Sequence, residues 1–583
     1  MTTTDTTTAN RSTEQFEAYL DQLARSHGVS GYTMTPEGTL VYAAYDGGEY
    51  DLQTPNGSLT DADGDLTNPT WLRDRGTLLA YRDQGGTEQY DLLEVDPESG
   101  STTPVLNDGF RNFRARQHPT VSDQVSFVSN RNRSLDLYTV TLDDGTVTRL
   151  SESDAPVMGY AWSPDGTRIV YQAGTVDDAC LRVVDRRTGR DDVFVDEPDS
   201  EQSFAFTDDG RGAWGTDGVV FTTNHQTGYR ELAVAEPDGD YTLRYVNNRD
   251  KYDPQWTEGG DIVFLEASRG DWKLRRLTDG AVTTVESSGM NVDVKTIDGD
   301  VYYRHSNSAT DGDLHRDGDP VVTVGQVDGP TVSPEDVTYE SFDGTEIAAR
   351  LYMPDCAPVG GIVKAHGGPE AQAYNPLDLT TQALAHAGFE VLAPDVRGSL
   401  GYGRAFRTAS DEDLGGDDLT DVVAAASYLR ERGRENVGIV GTAYGGSMAL
   451  LGVGATDAFD ASASVCGVVD WETAVENTRG DTADMLLRKF CGAPAEKPDL
   501  YADRSPITYV DDIDVPVLIV QGGNDPRVPQ SEVDRLIASL QERDVEHEYL
   551  LFDDEGHGVE RTANRVEYNT RTVEFFGSTL CEN

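Results

Sequence analysis

Gly441-Thr442-Ala443-Tyr444-Gly445-Gly446 follows an apolar run, Val437 to Val440, and precedes Ser447-Met448-Ala449-Leu450-Leu451. The stretch reads as a strand turning sharply into a helix. That is the setting of a nucleophile elbow, where Gly-x-nucleophile-x-Gly lets the backbone bend tightly and lifts one side chain above the sheet edge. The third residue is expected to be serine. Here it is Ala443, a methyl group with no proton to give and no lone pair to attack with.

On both sides of this stretch strands and helices alternate. Val337 to Ile347 reads as a hairpin around Asp343-Gly344, and Gly361 to Ala365 as a buried strand. Thr381 to Ala387, stopped by Gly388, reads as a short helix before the strand Phe389 to Ala393. Leu419, Val422, Val423, Ala426 and Leu429 share one face of a longer helix that Gly433 can end. After the elbow come strands at Ala463 to Val469, Val517 to Val520 and His547 to Phe552. Between the last two, Ser531 is expected to cap a helix whose apolar face is Val533, Leu536, Ile537 and Leu540. Such alternation implies a mainly parallel sheet covered on both faces.

In an open parallel sheet the reactive groups sit at the carboxyl ends of strands. Three positions meet that requirement in the order nucleophile, acid, histidine: Ala443 after its strand, Asp525 in Gly522-Gly523-Asn524-Asp525-Pro526-Arg527, and His557 in Asp554-Glu555-Gly556-His557-Gly558. A histidine can take a nucleophile's proton and return it to the leaving group, while a carboxylate fixes its tautomer. Taken singly, a loop histidine is a surface or packing residue and an aspartate after a strand is a turn or cap; the ordered set carries the signal. His366-Gly367-Gly368-Pro369 follows another strand, and its paired glycines either let backbone N–H groups approach a substrate oxygen or simply make a tight turn. Ser447 lies about one turn, ~5 Å, down the helix from the apex, and Thr442 precedes the apex, so neither hydroxyl replaces the missing one. No Gly-x-Gly-x-x-Gly string or Walker lysine points to nucleotide chemistry.

The first three hundred residues have another character. Residues 1 to 11 are Thr-rich, Ser12 with Gln15 resembles a capping box, and Phe16, Tyr19, Leu20 and Leu23 predict a short amphipathic helix. Short strands broken by Asp-Gly turns follow. The fullest unit is Ala161-Trp162-Ser163-Pro164-Asp165-Gly166-Thr167-Arg168-Ile169-Val170-Tyr171, and weaker copies overlie it with Met34, Trp71, Val121, Phe206, Trp256 and Lys295 at the Trp162 position. A loose period of about 40–50 residues with four strands per unit predicts a β-propeller of about seven blades; a large β-sandwich or a run of small β domains is the alternative.

Composition narrows the partners. With 103 acidic against 47 basic residues, the 583-residue chain carries a net charge of −56, which argues against nucleic acid and anionic membranes. The basic residues are nearly all arginine, and the balance resembles proteins of salt-loving archaea, where molar salt screens self-repulsion over roughly 3 Å. Cys180, Cys356, Cys466, Cys491 and Cys581 form no CxxC pair, so neither a disulfide framework nor a metal site is expected. The N-terminus has no leader pattern and no apolar run approaches ~18 residues, so a cytoplasmic protein is expected.

A propeller followed by an α/β-hydrolase domain resembles the prolyl oligopeptidase family of serine peptidases. His366-Gly367-Gly368-Pro369, Arg397-Gly398-Ser399-Leu400-Gly401-Tyr402-Gly403, Val469-Asp470-Trp471, Arg504-Ser505-Pro506 and Asn524-Asp525-Pro526-Arg527-Val528-Pro529 resemble its acylaminoacyl-peptidase branch. The resemblance implies a multidomain β plus α/β chain: an N-terminal extension over 1–28 packing on the hydrolase domain, a propeller over 29–330 that gates access, and a hydrolase domain over 331–583. It implies that Asp525 and His557 act with a nucleophile at position 443, that Gly368 and Tyr444 give oxyanion-hole N–H groups, and that Arg527 binds a substrate carbonyl. Short peptides are the implied substrates, with no cofactor, and exposed edge strands leave room for a homo-oligomer. Ala443 departs from the family's Gly-x-Ser-Tyr-Gly-Gly. The leading expectation is a peptidase releasing acylated or free N-terminal residues, made inactive by a deliberate serine-to-alanine change yet able to bind peptide. A natural peptide-binding pseudo-peptidase and an esterase on the same fold are the rivals.

Overall fold

The computed structural model describes residues 13–581 apart from 47, 133, 175–178, 198–199, 205–211, 216, 328, 375 and 478–480. Between residues 32 and 322 the strands form seven antiparallel units, over 32–58, 65–106, 112–149, 157–195, 202–245, 251–286 and 290–322. Consecutive units seal through apolar side chains: Leu79 and Leu92 meet Val125 and Phe127, Val128 and Leu137 meet Tyr160 and Trp162, and Val170 and Leu181 meet Phe204 and Phe221. The last unit packs on the first in the same way, Tyr302 and Leu314 against Tyr32 and Tyr42, which closes a seven-bladed ring. Among the described residues no strand from one end of the chain completes the blade at the other. The seam adds hydrogen bonds from Tyr32 Oη to the Asp293 carbonyl at 2.7 Å and from Lys295 Nζ to the Tyr32 carbonyl at 2.5 Å.

Asp-Gly pairs do make the tight turns: Asp279-Gly280, Asp298-Gly299 and Asp317-Gly318 all take positive φ at both residues, as a type I′ turn requires. The repeat itself needs correction in the third blade. Thr120 and Val121 are in a turn, not a strand, because His118 Nδ1 accepts both their amide N–H groups at 3.1 Å; the inner strand is Asn112–Gln117. The copy at Phe206 lies outside the described residues, as does Ser12 of the expected capping box. What the inner strands share is a bulge. In five blades one extra residue interrupts pairing with the next strand, at Asn68, Arg114, Met158, Asp253 and Asp293, four of them with φ between 48° and 54°. Bulges of this kind re-aim a side chain.

The second sheet has eight strands: β1 (Glu335–Glu340), β2 (Glu346–Tyr352), β3 (Gly360–Ala365), β4 (Phe389–Pro394), β5 (Val437–Thr442), β6 (Ala461–Val465), β7 (Val517–Gly522) and β8 (His547–Phe552). Their order is β1-β2-β4-β3-β5-β6-β7-β8, antiparallel through β4 and parallel from β4 to β8. Helices α1 (Thr13–Ala24), α2 (Leu379–His386), α3 (Asp417–Glu431), α4 (Tyr444–Gly454), α5 (Gln530–Glu542) and α6 (Thr562–Leu580) surround it. Apolar faces of α3, α4 and α5 cover one side, with Val422, Leu450 and Leu536 in the core. On the other, Leu384 of α2 and Phe575 and Phe576 of α6 pack on Ile362 and Leu518. Helix α1 docks there too, through Tyr19, Leu20 and Leu23 against Leu379 and Ala383.

Two local expectations fail. Strand β6 stops at Val465, short of Val469, because Cys466 takes φ 47°. Ser531 does not cap α5: the extended Pro529 is the cap residue and Ser531 sits inside the first turn. No described helix is long and apolar enough to cross a membrane.

Arg397, in the loop after β4, ties the β1–β2 hairpin to α3. Its guanidinium donates to Asp421 at 2.7 Å and to Asp343 at 2.9 Å, while its backbone N–H donates to Asp421 at 2.9 Å. The Asp421 side chain is 0% exposed. Removing one partner of such a pair leaves a buried charge uncompensated. Arg397→Met is therefore expected to lower unfolding stability by about 3–5 kcal/mol, read as a shift in the urea midpoint at constant slope.

Candidate active site

The ends of β5, β6 and β7 lie side by side, with Thr442 opposite Val465 and Val465 opposite Val520. Parallel neighbours stand about 4.8 Å apart, so the residue after β5 and the loop after β7 are two strand widths apart at one edge. Ala443 N–H donates to the Val465 carbonyl at 2.9 Å, and the backbone then reverses at φ 55°, ψ −117° to start α4. A non-glycine residue held in such a region costs on the order of 1–3 kcal/mol. The flanking glycines allow it sterically: a Cβ on Gly441 would stand 2.3 Å from Gly445 C, and one on Gly445 2.2 Å from the Ala365 carbonyl oxygen. All eleven residues of α4 are buried, so packing holds the turn in place.

Neither neighbouring hydroxyl sits at the apex. Ser447 Oγ donates back to the Ala443 carbonyl at 3.3 Å, and Thr442 is exposed at the end of β5.

Asp525 and His557 meet. His557 Nδ1 lies 2.8 Å from Asp525 Oδ2 and 3.0 Å from Oδ1, and the Asp525 side chain is 0% exposed. Asp525 Oδ1 also accepts the backbone N–H groups of Arg527 at 2.8 Å and Val528 at 3.0 Å, which fixes the carboxylate before the imidazole arrives. With Nδ1 occupied, Nε2 is the nitrogen left for proton transfer. Arg527, on the same loop, is half exposed, and its guanidinium is held by Glu88 of the second blade, at 2.8 Å from Nε and 2.7 Å from Nη2.

The His366–Pro369 turn lies over the elbow. A Cβ on Gly367 would be 3.8 Å from Ala443 Cβ, and Gly368 takes φ 126°, a conformation suited to glycine. His366, whose pKa burial lowers, lies 2.7 Å from the Gly367 carbonyl through Nδ1 and 2.9 Å from Ser399 Oγ through Nε2. Burial alone would raise Glu370, but Arg407, Lys489 and Arg488 hold its pKa down to about 2; the Arg488 contact is 2.7 Å. The turn is thus pinned at both ends.

Three contributors escaped the sequence reading. Cys466 turns its thiol toward Asp525 and His557, with the ligating atoms of all three within 4.8 Å of one another. Burial, then the Asp525 charge, pushes that thiol up to about 12, so it is a protonated hydrogen-bonding neighbour, not a nucleophile. Glu555 curls the histidine loop around its carboxylate, accepting the N–H groups of Glu560 at 3.1 Å and Arg561 at 2.8 Å. It stood in Asp554-Glu555-Gly556-His557 as the only signal. Asp418 of α3 accepts the Tyr444 hydroxyl at the start of α4.

A cavity of about 700 Å³ separates the propeller from this edge. Gly556, His557 and Gly558 line one wall; the bulge residues Asn68, Arg114, Met158 and Asp293 line the other. The second blade's loop closes its side: Asn524 Nδ2 donates to the Gly85 carbonyl at 3.1 Å, and a Cβ on Gly86 would stand 2.9 Å from Gly556 Cα.

Burial raises the Asp418 pKa to about 7, against the Tyr444 hydrogen bond that lowers it. A carboxyl raised in the folded state contributes stability that is complete below its ordinary value of 3.8 and is lost as pH rises through about 7. Asp418→Asn should remove that loss. Urea melts at pH 5 and pH 8 are expected to show a smaller drop for the variant than for the parent; parallel drops would mean Asp418 does not titrate there.

Residues 375–582 match the sequence model of the prolyl oligopeptidase family. Dipeptidyl aminopeptidase BIII of Pseudoxanthomonas mexicana is 28% identical over 574 residues, covering 88% of this chain and 79% of that protein. A puromycin-hydrolyzing peptidase of Mycobacterium tuberculosis superposes with a TM-score of 0.85 at 19% identity, over 96% of both chains. A serine-to-alanine mutant of a puromycin hydrolase, complexed with PGG, superposes with a TM-score of 0.82 at 22% identity, again over 96% of both chains. The match to the prolyl oligopeptidase family thus lies in the C-terminal sheet, while the fold is shared with these peptidase structures over nearly the whole chain.

Proposed function

We propose that this chain is the peptide-holding, non-cleaving form of a peptidase that removes acylated or free N-terminal residues from short peptides. The observation that carries the reading is the intact His557–Asp525 pair beside an elbow that keeps its strained φ with a methyl group at the apex. With serine at 443, His557 Nε2 would take the hydroxyl proton as the oxygen attacks the scissile carbonyl, then give it to the leaving amine. Asp525 would hold Nδ1–H and stabilise the imidazolium. The N–H groups of Gly368 and Tyr444 would receive the oxyanion, and Arg527 would reach a substrate carbonyl by sharing its guanidinium with Glu88. Without the hydroxyl, binding and oxyanion stabilisation remain and the covalent step is lost.

A serine-to-alanine variant of a similar fold has been seen with a peptide. This supports reading Ala443 as a deliberate replacement. The near-full-length relative named as a dipeptidyl aminopeptidase supports exopeptidase action from the N-terminus. The chain as it stands is expected to take no fluorophosphonate label. Ala443→Ser should gain on the order of 10⁶-fold in turnover, assayed with acetyl-alanyl, aminoacyl and dipeptidyl p-nitroanilides. Peptide binding without turnover after the change would favour a natural pseudo-peptidase, and turnover of acyl esters alone an esterase.

A further inference from the structure

We infer that the cavity between the propeller and the His557 loop recognises a carboxylate of the bound peptide through Arg116 and Arg111 of the third blade. This rests on the peptide-binding reading above and adds which chemical group the site selects.

Arg114 and Arg116 stand two residues apart on the inner strand Asn112–Gln117, with the bulge at Arg114 turning that strand, and Arg111 just precedes it. All three line the cavity. Arg116 is 2% exposed, and its Nε and Nη1 have no hydrogen-bond partner among the described residues; the Tyr160 ring centre lies 5.7 Å from its guanidinium carbon. Arg111 also has an unsatisfied Nε, and its one ion pair, to Glu88, is stretched to 4.0 Å because Glu88 is already bound to Arg527. A buried guanidinium with idle donors is costly unless something supplies acceptors.

Four of the cavity's own anions are committed elsewhere. Asp83 accepts the N–H groups of Thr87 and Glu88, both at 3.1 Å. Asp65 accepts Tyr50 N–H at 2.8 Å. Asp293 faces Lys295 and Arg304, each at 3.6 Å, and Glu555 is folded into the histidine loop. At about 700 Å³ the cavity is within the usual range of about 300–1,000 Å³ for ligand pockets. Within a peptide the planar two-oxygen acceptor that suits a guanidinium fork is a carboxylate, at the C-terminus or on an Asp or Glu side chain. A free amino terminus would be repelled from this wall.

The unmodified chain allows a direct test, because it is expected to hold peptide without consuming it. Calorimetry would compare N-acetyl-trialanine with its C-terminal amide, and with N-acetyl-Ala-Glu-Ala amide. The free acid is expected to bind at least about tenfold more tightly than the neutral amide. That margin should shrink to about twofold or less in Arg116→Gln and fall measurably in Arg111→Gln, whose partly exposed position keeps the test open if the buried variant does not fold. Tight binding of the glutamyl amide would extend recognition to side-chain carboxylates; weak binding would confine it to the C-terminus. Equal binding of acid and amide, or a margin that survives both substitutions, would overturn the inference while leaving peptide binding intact. Failure of every peptide to bind would instead overturn the peptide-binding reading itself.

Discussion

The first turn of α4 lies so close to the end of β3 that there is no room for a side chain between them. Gly445 would place a Cβ 2.2 Å from the Ala365 carbonyl oxygen, and on the opposite flank Gly446 would place one 2.9 Å from Cα of Gly467, just after β6. This contact fixes the rest of the site. It allows the reversal at Ala443 and sets the level of the β3 turn above it, while the parallel ladder brings the ends of β6 and β7 to the same edge, where Cys466 and Asp525 emerge. The strain at Ala443 is held by backbone crowding and a buried helix, so the geometry persists whatever side chain stands at the apex.

The propeller shares in the site as well as enclosing it. Glu88 of the second blade holds Arg527, Gly85 receives Asn524, and Gly86 abuts Gly556, all within reach of the histidine loop. The pieces that position Asp525 and His557 therefore come from both domains, and the cavity between them has one wall from each.

How far the sequence could be read depended on the kind of constraint. Steric necessity leaves a mark: Gly441, Gly445 and Gly446 are glycines because nothing larger fits, and the elbow was legible for that reason. The order of Asp525 and His557 after successive strands was legible because each follows an apolar run that can only be buried. Cys466 leaves no mark, since a cysteine at positive φ reads in sequence as the next residue of a strand, and the apolar run extends past the strand's true end at Val465. The bulges were hidden for a related cause. Asn68, Arg114, Met158, Asp253 and Asp293 have no chemistry in common; what recurs is a backbone offset, whereas a repeat aligned on aromatic positions put the third blade's inner strand into its turn. The contacts between Glu88 and Arg527, 439 residues apart, carry no local signature at all.

Those offsets make the inner strands doubly readable. Along the third blade's inner strand Ala115 feeds the seal between blades, Arg114 and Arg116 line the cavity, and Phe113 borders both. Because side chains alternate with a period of two, losing or gaining one residue at a bulge exchanges the two sets beyond it. Lengthening or shortening an inner strand by a single codon is thus a coarser change than any point substitution: it would present the ring's apolar sealant to the cavity and drive its charges into the joint between blades. The propeller can diversify what its cavity recognises residue by residue, but its inner strands cannot drift in length.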